Sequence, residues 1–224
     1  MKLTRVYSFL PILMALCLSA CGSVTPTFQP AVTVVLAPDT RTTVSSEDLD
    51  AARRVMQERL DALAPASSRV TVDGGNLKME LGRVANPDMV IAGTTHAGII
   101  EFWESSTPLE TGMTVPTNLV PALTGMDIAK ARAEKNQADN TWQVLVEFTP
   151  KGADTLAQLT ASKVGQYLAL SRDRQIVTSP RIQAPIRGGP VAIAGAFTEG
   201  EARSLAAVMS SGALPIPLKI ISVK

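Results

Sequence analysis

Apolar residues recur along this chain with two periods, and the switches between them mark out the elements. Val32, Val34, Val35 and Leu36 form a short strand that Pro38-Asp39 stops. Ser45 or Ser46 then caps a helix, with Glu47 and Asp48 at its positive dipole end. Leu49, Ala52, Met56, Leu60 and Leu63 follow three or four apart and give one apolar face. Arg53, Arg54, Glu58, Arg59 and Asp61 are assigned to the polar face, and Pro65 ends the helix. Val70 and Val72, the turn Asp73-Gly74-Gly75-Asn76, and Leu77, Met79 and Leu81 predict a hairpin. Asn86-Pro87-Asp88 opens a weaker helix through Met89, Val90 and Ile91, and Ile99 to Trp103 reads as a strand. The order is β-α-β-β-α-β, that of a ferredoxin-like unit.

From Ser105 to Pro121 the periods vanish and prolines and glycines punctuate the chain, which predicts a subdomain boundary. Thr124 or Asp127 is expected to open a short helix carrying Ile128, Ala129 and Ala133. Val144, Val146 and Phe148 alternate in a strand that begins at Trp142. Pro150-Lys151-Gly152 leads into a helix bearing Leu156, Leu159 and Val164. Tyr167 to Leu170 and Ile176-Val177 read as strands around Arg172-Asp173-Arg174, and Pro180 to Gly195 holds a further short one. Thr198-Glu199-Gly200-Glu201 is a capping box. Its helix carries Ala202, Leu205, Val208 and Met209 and stops at Gly212. Pro217 breaks the final strand, Ile216 to Val223, early and places it at a sheet edge.

The first residues obey neither period. Lys2 and Arg5 precede an apolar stretch, Val6 to Leu18, that is short for a membrane span, and Leu18-Ser19-Ala20-Cys21 follows. This is the pattern of a lipoprotein signal. Residues 1–20 are expected to be removed between Ala20 and Cys21, and the Cys21 thiol to carry a diacylglycerol. The only other cysteine, Cys17, lies inside the signal, so neither a disulfide nor a free thiol is expected afterwards. Residues 21–30, rich in Ser, Thr and Pro, read as a tether.

Removing Lys2 and Arg5 from the 21 basic residues leaves 19 against 20 acidic ones, which is no footprint for nucleic acid. The whole chain, with 46% hydrophobic and 18% charged residues, has a globular balance. Chemistry is scarce. His96 is the one histidine, so a histidine-based metal cluster has no material within the chain. A Ser-His-Asp triad would have to use His96, but no G-x-S-x-G elbow exists, and His96 reads as a loop or helix-end residue. Gly188-Gly189-Pro190 lacks the phosphate-loop spacing and reads as a turn. Asp154 and Glu199 read as helix-start carboxylates, and Trp103 and Trp142 as packing residues. No catalytic residue, metal site, cofactor or small-molecule substrate is expected. An enzyme, as a hydrolase, ranks last.

Leu123-Thr124-Gly125-Met126-Asp127-Ile128, Val146-Glu147-Phe148, Gly152, Thr160 and Gly165 resemble the large periplasmic domain of the translocase subunit SecD. So do Ser179-Pro180-Arg181-Ile182, Ile186-Arg187-Gly188-Gly189, Phe197-Thr198, Glu201-Ala202, Leu205-Ala206 and Gly212-Ala213-Leu214-Pro215. Arg53-Arg54-Val55 with Arg59-Leu60 and Leu63 looks like that family's Arg-rich helix, while Arg83 stands where the family often has a Pro-Gly-Val run. The resemblance implies an α+β fold, with a ferredoxin-like base that takes back the final strand and an inserted α+β head. The expected division is base 31–110, head 111–213 and returning strand 214–224. It also implies contact with preprotein or Sec translocon components. SecD proteins carry membrane helices with proton-coupling charges; here a lipid on Cys21 would replace the first of them, so proton-driven pulling by this chain alone is not expected. The reading is a non-enzymatic lipoprotein, held to the membrane and facing away from the cytoplasm, that meets translocating or unfolded polypeptide. Its alternative is a divergent envelope lipoprotein acting as an interaction scaffold.

Overall fold

The computed structural model describes residues 28–41, 43–64 and 68–224. The signal, Ala20, Cys21, most of the tether and Pro65 lie outside them. Strand β1 (Val32–Pro38) leads to helix α1 (Ser46–Leu63), which opens on a capping box between Ser45 and Asp48. Strands β2 (Arg69–Asp73) and β3 (Asn76–Leu81) form the hairpin. Gly74 and Gly75, at φ of 55° and 86°, supply the left-handed turn that a two-residue connection requires. Helix α2 (Pro87–Thr95) follows, its first turn capped by Asn86.

The base sheet runs β11-β1-β3-β2, with β11 (Leu218–Val223) antiparallel to β1 at its edge. Val34, Leu36, Leu77, Met79 and Leu81 turn one face of this sheet toward Leu49, Ala52, Met56 and Leu60 of α1, and all are buried. The last strand of the β-α-β-β-α-β order thus comes from the end of the chain.

Strand β4 (Ile100–Ser105), which the sequence pattern places last in the base, pairs instead with β5 (Pro121–Thr124) and β8 (Tyr167–Arg172). Its composition explains why. Ile100 and Phe102 join one apolar cluster while Trp103 joins another, so β4 must be covered on both faces. The outer face of the base sheet is polar on β2 and β3, with Arg69, Thr71, Asp73, Asn76, Lys78 and Glu80.

The stretch from Ser105 to Pro121 is tied into the same sheet as β4. It joins two neighbouring strands of one sheet, and its middle is pinned along β9 (Gln175–Thr178). Gly112 N–H donates to Ile176 O, Ile176 N–H to Met113 O, and Val115 N–H to Arg174 O, all at 2.7–2.8 Å.

The second lobe has two sheets, β5-β4-β8-β9 and β10-β7-β6, formed with β6 (Ile128–Lys135), β7 (Trp142–Phe148) and β10 (Val191–Phe197). Helices α3 (Pro150–Ser162) and α4 (Glu199–Ser211) complete it. The helix expected after Thr124 is one 3₁₀ turn, Gly125–Asp127, followed by strand β6. Alanine favours helices when nothing else decides, but here Ala131 and Ala133 face inward while Lys130, Arg132 and Glu134 alternate outward. Arg132 meets Glu147 of β7 at 2.9 Å across the strands. Val164 lies beyond the end of α3 and is exposed.

Two crossings connect the lobes: residues 96–99, from α2 to β4, and 212–217, from α4 to β11. One side chain holds both. Arg59, expected on the polar face of α1, is fully buried. Its Nε donates to Ser211 Oγ at 3.0 Å, Nη1 to Thr94 O and His96 O at 3.2 and 2.5 Å, and Nη2 to Ala97 O and Gly212 O at 3.3 and 2.6 Å. All five guanidinium N–H groups are used. The acceptors lie at the carboxyl ends of α2 and α4, where dipoles favour a cation. The crossings also bond each other, through Leu214 N–H to Ala97 O at 2.7 Å. Burial lowers the Arg59 pKa to about 10, which leaves it charged at neutral pH.

Replacing Arg59 with Met should therefore remove more than packing. Carbonyls of both crossings lose their donors, at ~1–3 kcal/mol for each one left buried and unpaired. Arg59→Met should lose at least ~3 kcal/mol in denaturant unfolding, and Arg59→Lys, with three donors, should fall between. A Met variant as stable as the parent would show that the guanidinium holds nothing.

Candidate binding cleft between the lobes

The junction opens into a cleft of about 440 Å³. One wall is α2, with Met89, Ala92, Gly93 and His96. The facing wall is the end of β8, β9 and the last residues of β10, and the first turns of α4 form the floor. Helix α2 packs closely here: a Cβ on Gly93 would stand 2.7 Å from both Leu63 Cδ1 and Ser204 Oγ and would force those side chains aside.

A second cavity of about 270 Å³ lies within the head, between its sheets, lined by apolar residues such as Phe102, Leu156, Leu170, Ile186 and Ile193. Thr178 lines both spaces. Its Oγ donates to Ala194 O at 3.1 Å, bridging β9 and β10, which are edge strands of different sheets. The seam between those edges thus separates a mixed cleft from an apolar one.

The turn that joins β8 to β9 shapes the polar end. Asp173 and Arg174 adopt φ of 53° and 64° without glycine. Asp173 is held twice by Ile99: its Oδ1 accepts from Ile99 N–H and its own N–H donates to Ile99 O, both at 2.8 Å. Arg174 donates to Val115 O at 3.1 Å and lies 5.3 Å over the Trp103 ring. Trp103 is a buried packing residue, its Nε1 donating to Ser171 Oγ at 2.8 Å. Trp142 is partly buried against the head core.

His96 is the C-cap of α2, and its Nδ1 lies 3.6 Å from Asp173 Oδ2. Burial, and then the nearby Arg172 charge, push the His96 pKa below its ordinary value, against the opposing pull of Asp173. Glu201 lies on the floor. Hydrogen bonds from the Thr198 N–H and hydroxyl hold its carboxyl below the usual range.

Gly188 and Gly189 form a turn with positive φ. Glu199 stands in the first turn of α4, paired with Arg203; Asp154, by contrast, lies a turn further into α3 than a helix-start carboxylate. Among the described residues no group of three or more His, Cys, Asp or Glu could hold a metal ion. The sequence reading missed Arg59 and Arg172. Arg172 had been read only as part of a turn; its place at the end of a strand facing the gap between two sheets depends on pairings that local pattern does not encode.

A four-stranded base split by the chain, with a two-sheet lobe inserted before its last strand, defines a two-lobed α+β domain. Residues 102–216 match the family model of the SecDF P1 head subdomain, and the chain belongs to that family. The SecDF translocase subunit of Thermus thermophilus is 31% identical over 205 residues, covering 80% of this chain and 28% of that protein. SecDF solved in its Super-membrane-facing form superposes with a TM-score of 0.72 at 30% identity, over 86% of this chain and 30% of that one. Another solved chain of SecDF, described as a membrane component that enhances protein export, gives 0.68 at 29% identity, over 86% of this chain and 99% of that one. The chain spans less than half the length of the first curated relatives it matches. No helix among the described residues is long and apolar enough to cross a membrane.

As the chain has one histidine, the junction carries a readable pH signature. The unfolded chain protonates His96 near its ordinary 6.5, the folded chain only at lower pH. Between those values the unfolded state binds more protons, so stability falls as pH drops through about 6.5 and levels off below the folded pKa. Denaturant midpoints measured from pH 8 to 5 should show this step, and His96→Asn should flatten it. An equal step in the variant would place its origin elsewhere.

Proposed function

We propose that this chain is a lipid-anchored counterpart of the SecD periplasmic domain, with a role in protein export exercised by contact with translocating or unfolded polypeptide. Membership of the SecDF head family and likeness to translocase subunits support the export role. The observation that carries polypeptide contact is the pair of open cavities meeting at the β9–β10 seam. One is apolar and one mixed, and an extended chain presents both kinds of surface in alternation. On this reading the base is residues 31–96 with 214–224, and the head is the span between, which begins earlier than the pattern of residues alone implies.

Anchoring rests on the signal. Cys21 is the one acylatable thiol left after cleavage at Ala20, which puts the domain on the membrane surface facing away from the cytoplasm. Cys21→Ser should accumulate as unprocessed precursor or as a released product without lipid label. Normal labelling and membrane retention in that variant would refute the anchor.

Contact is tested by photo-crosslinking in cells. A photoreactive residue at Gln175, exposed at the cleft, should capture exported polypeptide or Sec translocon components during export, and one at Lys135, away from both cavities, should not. Equal capture at both positions, or none at Gln175, would reject the reading and favour the scaffold alternative.

A further inference from the structure

We propose that the cleft between the lobes contains a carboxylate-binding subsite, formed by Arg172, that receives an acidic side chain of a bound extended polypeptide. The proposal deepens the polypeptide-contact reading and rests on it. Arg172, Glu201 and His96 are the titratable groups lining the cleft, with Asp173 and Arg59 just behind them. Four of these five are committed. Glu201 closes the capping box of α4 through Oε2, Asp173 receives the Ile99 N–H, and Arg59 spends its five donors on the crossings. His96, with its lowered pKa, is mostly neutral at pH 7.

Arg172 differs. Its half-buried side chain forms no hydrogen bond or ion pair with any described residue. Glu201 across the cleft feels the Arg172 charge but lies beyond ion-pair distance, so the guanidinium keeps its donors free, and their planar array matches a carboxylate in bidentate geometry. Gln175 and Thr178 add neutral polar groups beside it, while Met89, Ile176, Phe197 and Leu205 provide apolar surface for neighbouring side chains. A peptide fits this wall better than a small acid, whose own contacts would leave the apolar part empty. Its walls come from both lobes, so such a segment would touch base and head together.

The test uses the mature chain and dye-labelled, otherwise uncharged extended peptides that differ at one central residue: Glu, Gln or Lys. The Glu peptide should bind roughly tenfold more tightly than the Gln peptide. Arg172→Gln should erase that preference, with the melting curve unchanged. Arg172→Glu should turn the preference toward the Lys peptide, which a merely structural role for Arg172 would not do. N-acetylglutamate amide should fail to displace the Glu peptide at matched concentrations; displacement by it as strong as by unlabelled peptide would refute a polypeptide occupant. Equal binding of Glu and Gln peptides by the parent would overturn the subsite alone. No binding of any peptide would overturn the polypeptide-contact reading and the subsite with it.

Discussion

A buried guanidinium fixes how the two lobes meet. Taking the Arg59 charge out of water is costly, and only a full set of acceptors offsets that cost. The acceptors come from the two places where the chain passes between lobes: Thr94, His96 and Ala97 on one side, Ser211 and Gly212 on the other. Each crossing must therefore be in place for the other to be stable. Gly98 shows how tightly the site is built. It turns the chain at φ 79°, and a Cβ there would run into the Arg59 guanidinium. The position of α2 against α4, and hence the width of the cleft, follows from this packing.

Much of the fold was legible because local chemistry and tertiary need agreed. The Ser45 and Thr198 capping boxes, the Gly74-Gly75 turn and the alternation of β7 mean the same in isolation as in the folded chain. Legibility failed where they diverged. Arg59 lies seven residues after Ala52, three after Met56 and four before Leu63, on the apolar stripe by spacing; only its charge assigned it to the other face. Strand β6 was misread because its inward positions are alanines. The partner of β4 could not be read from β4 itself, since a strand with two apolar faces states that it is covered but not by what. The return of the last strand to the base entered only through the resemblance to SecD; β11 itself pairs with β1.

The site was less legible than the fold for a related reason. Cavities form between elements, and the residues that matter there are remote in sequence: Met89, Arg172 and Phe197 share one cleft. No catalytic spacing marks them. Arg172 differs from the other arginines of the chain's second half by being half-buried without a partner; Arg187 also lacks one among the described residues but is exposed, and Arg132 pairs with Glu147. Arg174 has an aromatic ring and a carbonyl, Arg181 has Gly165 O, and Arg203 has Glu199.

The edges of the sheets show where contact with other chains is guarded and where it is left open. The base edge β11 exposes Ile220, Ile221 and Val223, but Pro217 precedes it and Lys219, paired with Asp39, adds a charge. Proline and lysine at an edge oppose pairing with a further strand. β9 is shielded differently, by the segment from Gly112 to Val115 that bonds along it. β10 carries Ala192, Ala194 and Ala196 with no charged side chain, and its one cross-seam tie is the Thr178 hydroxyl on Ala194 O. A single neutral hydrogen bond contributes about 1 kcal/mol, far less than the five donors of Arg59 together. The junction is therefore rich in directed hydrogen bonds, while the seam beside it is closed mainly by apolar side chains of one cluster, among them Val177, Ile193 and Phe197. That contrast makes the β9–β10 seam, and not the junction of the lobes, the place where two sheet edges are tied by the least directed bonding.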